Sequence, residues 1–154
     1  MEELETIKDL ELVIIDPIQA VTSASTSSNE SAQLYCQLAA SISSRMECVC
    51  ISIHHMSKVA LANGDDPLLA RAAVRGASSF IDGHRLAIAL WLGDEAEAER
   101  ICLENGVEFD RLRVVRAGVV KANSSEVDMS IKTMFRKHAV LEPYVDSAFS
   151  LEGF

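Results

Sequence analysis

Aromatic residues are scarce, at 5% of a 154-residue chain, so the core has to be assembled from Ala, Val, Ile and Leu. No apolar stretch reaches the ~18–20 residues that a membrane span needs, which excludes a membrane-spanning helix. The N-terminal segment MEELETIKDLE is acidic and lacks the basic, apolar build of a signal peptide. The expectation is a cytoplasmic protein with no membrane partner. The four cysteines, Cys36, Cys48, Cys50 and Cys102, include no CxxC and no paired Cys/His spacing of the zinc type. Cys48 and Cys50 are two apart on a predicted strand and face the same way, so they read as small buried hydrophobes rather than a disulfide. Basic residues are few as well, 14 against 23 acids, and a net charge of −9 argues against general nucleic-acid coating.

What the chain does have is apolar content, 49%, enough for one compact domain over residues 1–154. Charge is unevenly spread. Residues 1–70 hold 10 acids and 3 bases, and residues 71–154 hold 13 and 11. A contact with a polyanion would come from the second half. There Arg111, Arg113, Arg116 and Lys121 form one basic group, and Arg136, Lys137 and His138 form another. Each reads equally well as a solvated face.

Residues 2–8 read as a short helix. Leu10 to Ile15, closed by Asp16 and stopped by Pro17, is a nearly continuous apolar run, which suits a strand covered on both faces. A polar loop, TSASTSSNE, leads to Asn29 as a plausible N-cap. Leu34, Tyr35, Leu38, Ala39 and Ile42 then mark an amphipathic helix to about Ser44. Cys48 to Ile53 is a second apolar run, and it ends in SIHHMSK (Ser52–Lys58). Val59 to Pro67 reads as a loop, Leu68 to Val74 as helix, and Arg75 to Arg85 as a loop with a short helix. Leu86 to Leu92 is a third strand. Asp94 to Asn105 is a helix closed by Gly106. Arg111 to Val120 is rich in β-formers. Met129 to Phe135 and Val140 to Pro143 make a terminal hairpin. Alternating strands and helices predict an α/β domain with a mainly parallel sheet, helices on both faces and an antiparallel C-terminal appendage.

In open parallel sheets, ligands sit at the carboxyl ends of the strands. Two predicted strands end in chemistry, one in Asp16 and the other in the histidines at 54 and 55. A carboxylate after a buried strand can hold the water shell of Mg²⁺ beside a nucleotide. It can equally cap the following turn. A strand-end histidine can equally be a hydrogen-bonded residue of the sheet rim.

The pieces LVIIDP, SIHHMSK, AAVRGASSFIDGHR and AGVVKAN, in that order, together resemble the second half of a RecA-like ATPase core. The resemblance is to the plasmid RepA type of hexameric replicative helicase and its kin among AAA-type ATPases of phages and mobile elements. It runs from about Leu10 to Pro143, and MFRKHAVLEP resembles the closing hairpin of that family. By this resemblance Asp16 is the Walker B aspartate, acting on Mg²⁺ through water. His54 is the strand-end histidine that senses the γ-phosphate of ATP and reports it to DNA-binding loops. Arg85 is the arginine finger, a forked and always charged group that reaches the neighbouring subunit's site. Lys121 is a second phosphate contact made across that interface. His55 and Lys58 anchor the loop behind His54, and residues 59–74 face the central channel. The implied partners are further copies in a homo-oligomeric ring, a hexamer, and single-stranded DNA in its channel.

The chain departs from that pattern in two places. Asn123 is followed by Ser124-Ser125 where the family has an aromatic and a glycine. The phosphate loop G-x-x-x-x-G-K-S/T is absent, as is the upstream strand whose acidic residue positions the attacking water, both of which precede Walker B in that family. The chain therefore reads as the C-terminal portion of such a core, a gene fragment or natural truncation, with a missing N-terminal half as its further partner. Alone it is expected to be inactive. Two other readings stand beside this one: a non-catalytic remnant or interaction module of a mobile-element ATPase, and an unrelated α/β enzyme using Asp16 and His54 as acid and base.

Overall fold

The computed structural model describes residues 2–22, 29–55, 79–124 and 126–145. They belong to two compact units, one made of the residues up to His55 together with 79–85, the other of residues 86–145.

In the first unit a short helix α1 (Glu2–Glu5) precedes strand β1 (Leu12–Ile15). Helix α2 (Asn29–Met46) leads to β2 (Val49–Ser52), which lies parallel to β1 with Leu12 opposite Val49 and Ile15 opposite Ser52. A single ladder of backbone bonds continues past both strands. Ile53 N–H donates to Ile15 O at 2.8 Å, and Ile18 N–H donates to Ile53 O at 2.9 Å. Along α2 the buried residues are Ala32, Tyr35, Cys36, Ala39 and Ile42, a stripe at helical spacing. Ala32, Tyr35, Cys36 and Ala39 of that stripe, with Ile18 and Phe80, form the core, with Ile15 and Cys50 packed against it. Phe80 is supplied by helix α3 (Ser79–Gly83). At Gly83 a Cβ would lie 2.3 Å from Cys36 Sγ, so only glycine lets α3 approach α2 this closely.

The other face of the β1–β2 pair is open. Leu12, Ile14, Val49 and Ile51 are 45, 57, 60 and 44% exposed. The apolar run predicts a strand covered on both faces. The apolar run is there, but only the face toward α2 is covered. Sequence reports that a face is apolar without reporting whether anything packs on it.

The second unit is an antiparallel meander, β3-β4-β5-β6, of Leu86–Leu92, Val114–Ala122, Lys132–Lys137 and Val140–Pro143. The β3–β4 register shifts between Ala87 and Ile88, leaving one extra residue on β4. Helix α4 (Glu95–Glu104) lies between β3 and β4 in sequence. It starts at Asp94, whose side chain accepts from Glu97 N–H at 2.7 Å, and ends before Gly106 at φ +65°. Ala98, Ile101 and Cys102 of α4 make a core with Val114 and Phe135.

The chain is thus α/β, with its parallel pairing in β1–β2. β3, read as a third strand of one mainly parallel sheet, instead opens an antiparallel sheet. An apolar run gives a strand no direction, and the helix after β3 does not make a crossover here. The C-terminal hairpin is present, with strand β5 starting at Lys132 rather than Met129. All four cysteines are free thiols. No described helix is long and apolar enough to cross a membrane.

Candidate functional site

The parallel register places Asp16 and His54 at the same carboxyl edge, one residue past β1 and two past β2. Asp16 is exposed and joined to Pro17 by a cis peptide bond. A 3₁₀ turn (Ile18–Ala20) follows and anchors itself through Ile18, which is fully buried. This turn carries Gln19 back to the histidine strand, where Gln19 Nε2 lies 2.9 Å from His54 Nδ1. On its other side, the half-buried His54 ring stacks at a tilt on Phe80, centroids 5.0 Å apart.

A second histidine lies in the same unit. His84 Nδ1 is 2.6 Å from Phe80 O, and a carbonyl can only accept, so Nδ1 carries the proton. His84 Nε2 then accepts from Ser52 Oγ at 3.1 Å, and Ser52 Oγ accepts from Tyr35 O–H at 2.7 Å. The chain Tyr35 to Ser52 to His84 to Phe80 O is fully satisfied and runs in one donor direction. Burial pushes the Tyr35 phenol above its ordinary value, against the pull of the Ser52 bond, with Cys50 and Cys36 adding to the rise. Burial, and then Cys48, likewise raise the Cys50 thiol. The Cys50 thiol is thus a poor nucleophile at neutral pH, in keeping with a packing role.

Arg85 follows His84 directly and is exposed. Lys121 sits in β4 of the second unit, half-buried, opposite Ala87. His55 is exposed. Lys58 and residues 59–74, which the resemblance places facing a central channel, lie outside the described residues. Among the described residues no group of three or more His, Cys, Asp or Glu is placed to hold a metal ion.

The first basic group turns largely inward on its own unit. Arg116 Nε donates to Glu97 Oε2 at 2.8 Å, with both side chains 15% exposed. Arg111 Nε donates to Gly93 O at 3.1 Å, and Arg113 lies 3.9 Å from Asp110. In the second group Lys137 pairs with Glu142 at 3.1 Å. The contacts of Arg111 and Arg116 engage the first group within its own unit, whereas Arg136, Lys137 and His138 stay exposed.

Asp16 and His54 are legible in the sequence, whereas Gln19 and Phe80, which contact His54, and the Tyr35–Ser52–His84 hydrogen-bond chain are not. Ser52 and His84 both lie in stretches that drew attention, SIHHMSK and FIDGHR. Nothing in the spacing pairs a residue of one with a residue of the other 32 positions on. No protein-family model matches this chain, and no curated protein matches it significantly.

Proposed function

We propose that this chain is the Walker B-to-finger portion of a RecA-like ATPase resembling the RepA type of hexameric replicative helicase. The observation that carries the reading is the pairing of β1 and β2 in parallel, which brings Asp16 and His54 to one sheet edge. In this reading a partner segment bearing a phosphate loop seats against the open apolar face of β1–β2 and completes the nucleotide site. The assembled protein is a cytoplasmic homohexameric ring with single-stranded DNA in its channel.

A single exposed carboxylate does not hold Mg²⁺ by itself. Magnesium keeps several waters and binds mainly through the phosphates of its nucleotide. Asp16 suits that arrangement as an acceptor for the ion's water shell in Mg·ATP. His54 contacts the γ-phosphate as a neutral donor. Arg85, exposed beside the His84 anchor, reaches a neighbouring subunit, and Lys121 adds a phosphate contact there. The short link from His54 through Phe80 to His84 supports the reading, because it joins the phosphate sensor to the segment that carries the finger.

The test is a chain joined behind a phosphate-loop half of a RepA-type ATPase. ATP hydrolysis should appear, and Asp16→Asn should abolish it. Arg85→Ala should leave nucleotide binding nearly unchanged and lower turnover by on the order of 10³ or more. Normal turnover in Arg85→Ala would refute the finger, and normal turnover in Asp16→Asn would refute the site.

A further inference from the structure

We propose that Gln19 is a positioning residue that fixes the tautomer of His54, holding its ring proton on Nε2. The purpose of this pairing rests on the nucleotide reading of His54. The pairing itself rests on geometry alone.

Gln19 reaches His54 because the chain after Asp16 turns at Pro17 and Ile18 instead of running on as a strand. Ile18 is bonded through its N–H to Ile53 O, so the turn is tied to the residue immediately before His54. This leaves the Gln19 amide little freedom to drift from the ring. An amide can face an imidazole nitrogen in two ways. If its nitrogen faces Nδ1, the amide donates, Nδ1 is bare and Nε2 bears the proton. If its oxygen faces Nδ1, the tautomer is reversed.

The rest of the side chain decides between the two. Gln19 Oε1 is buried with no hydrogen-bond partner. Turning the amide over would put its two N–H groups into that same partnerless place. An orphaned buried N–H is rarer and costlier than an under-satisfied carbonyl. The amide therefore keeps its nitrogen on Nδ1. His54 becomes a neutral ring whose donor is Nε2–H, the form suited to an oxyanion such as a terminal phosphate. His84 is held the opposite way, with its proton on Nδ1 by Phe80 O. The same unit thus presents two histidines in opposite tautomers, and each is a control for the other.

The experiment is nitrogen-15 NMR of the purified chain with labelled histidine rings, assigned with His54→Gln and His84→Gln. In the wild type the His54 proton should be on Nε2 and the His84 proton on Nδ1. Gln19→Glu, whose carboxylate can only accept, should move the His54 proton to Nδ1. Gln19→Leu, near in volume, removes the amide donor and should lower the share of rings with the proton on Nε2. The His84 signals should stay put in both variants. A wild-type His54 proton on Nδ1, or a His54 signal indifferent to both substitutions, overturns the proposal, and the wild-type spectrum decides even where a variant fails to fold. The two failures separate cleanly, because the ring is read without nucleotide. A phosphate-loop fusion that never hydrolyses Mg·ATP would overturn the purpose and leave the tautomer as it is.

Discussion

Ser52 Oγ lies 3.1 Å from His84 Nε2, and this contact fastens the strand that delivers His54 to the segment that delivers Arg85. Tyr35 closes the arrangement from α2 by donating to the same oxygen. One hydroxyl therefore serves three elements, β2, α2 and the end of α3. Ser52→Ala should destabilise the first unit by about 1–3 kcal/mol. It strands both the Tyr35 hydroxyl and the His84 nitrogen, and an unsatisfied buried group costs more than the bond it loses. Tyr35→Phe removes only the donor and should cost about 0.5–1.5 kcal/mol. Denaturant unfolding of both variants and of the double variant checks this. The double variant should be less destabilised than the two singles added together, since they share one network. Strict additivity would show that the three groups are not coupled.

Gly83 is the second fixed point of the segment that carries Arg85. A methyl there meets Cys36 Sγ at 2.3 Å and Cys36 Cβ at 2.5 Å, both on the neighbouring helix. Gly83→Ala should push α3 away from α2 and cost about 1–3 kcal/mol, the usual range for overpacking. Trimming the opposing side chain with Cys36→Ala removes the sulfur but leaves its Cβ, so it should restore only part of the loss. Thermal melts of the two single variants and the pair separate these contributions. A Gly83→Ala variant as stable as the wild type would mean that α3 has room the structure does not show.

Much of this was legible beforehand, and the limits have physical causes. The strand ends at Asp16 and at SIHH, the helix between them, the Gly106 stop and the closing hairpin all follow from local periodicity, caps and turn residues. Strand direction did not follow, because the apolar run of β3 reads the same in either sense. The basic residues at 111, 113 and 116 were open between a polyanion surface and a solvated face. The answer lay in Glu97, Gly93 and Asp110, and a charge count does not show which acid or carbonyl an arginine will meet. Burial and Asp94 push the Glu97 carboxyl upward, with Thr133 and Arg100 pulling it down. Gln19 escaped notice for a similar reason. It is a polar residue in a turn, and only the path after Asp16 brings it to the histidine 35 positions away.

Tyr35 gives the first unit an alkaline limit. Its phenol is raised above 10.0, first by burial. A phenol whose folded value exceeds its unfolded one keeps its proton longer in the folded state. Its stabilising contribution is complete below pH 10.0 and is lost as pH rises from there through the raised value. Stability of the wild type should therefore fall more steeply above about pH 10 than that of Tyr35→Phe. The chain has only one other tyrosine, Tyr144, so phenolate absorbance in a Tyr144→Phe background reports Tyr35 alone. Ionisation of Tyr35 at the value of a free phenol, with the fold intact, would contradict its burial.

The last expectation concerns the chain without a phosphate-loop partner. In the proposed site most of the grip on a triphosphate comes from the amides and lysine of that loop, a motif this sequence does not contain. Asp16 adds only a contact through water. Each charge-assisted hydrogen bond forgone is worth roughly 1.5–3 kcal/mol, and every ~1.4 kcal/mol is tenfold in affinity. Losing three or four of them takes a micromolar site past millimolar. A calorimetric titration of the purified chain with Mg·ATP should therefore show no binding, and no hydrolysis should accompany it. The same chain leaves Leu12, Ile14, Val49 and Ile51 side by side in water, an apolar face on a short parallel pair. Such a face favours association, so the solution mass should exceed that of a monomer. Ile14→Thr with Ile51→Thr keeps β-branched side chains for the strands but makes the face polar, and should shift the mass toward the monomer. Micromolar Mg·ATP binding by a well-behaved wild-type monomer would overturn both the placement of the site and the role given to the open face.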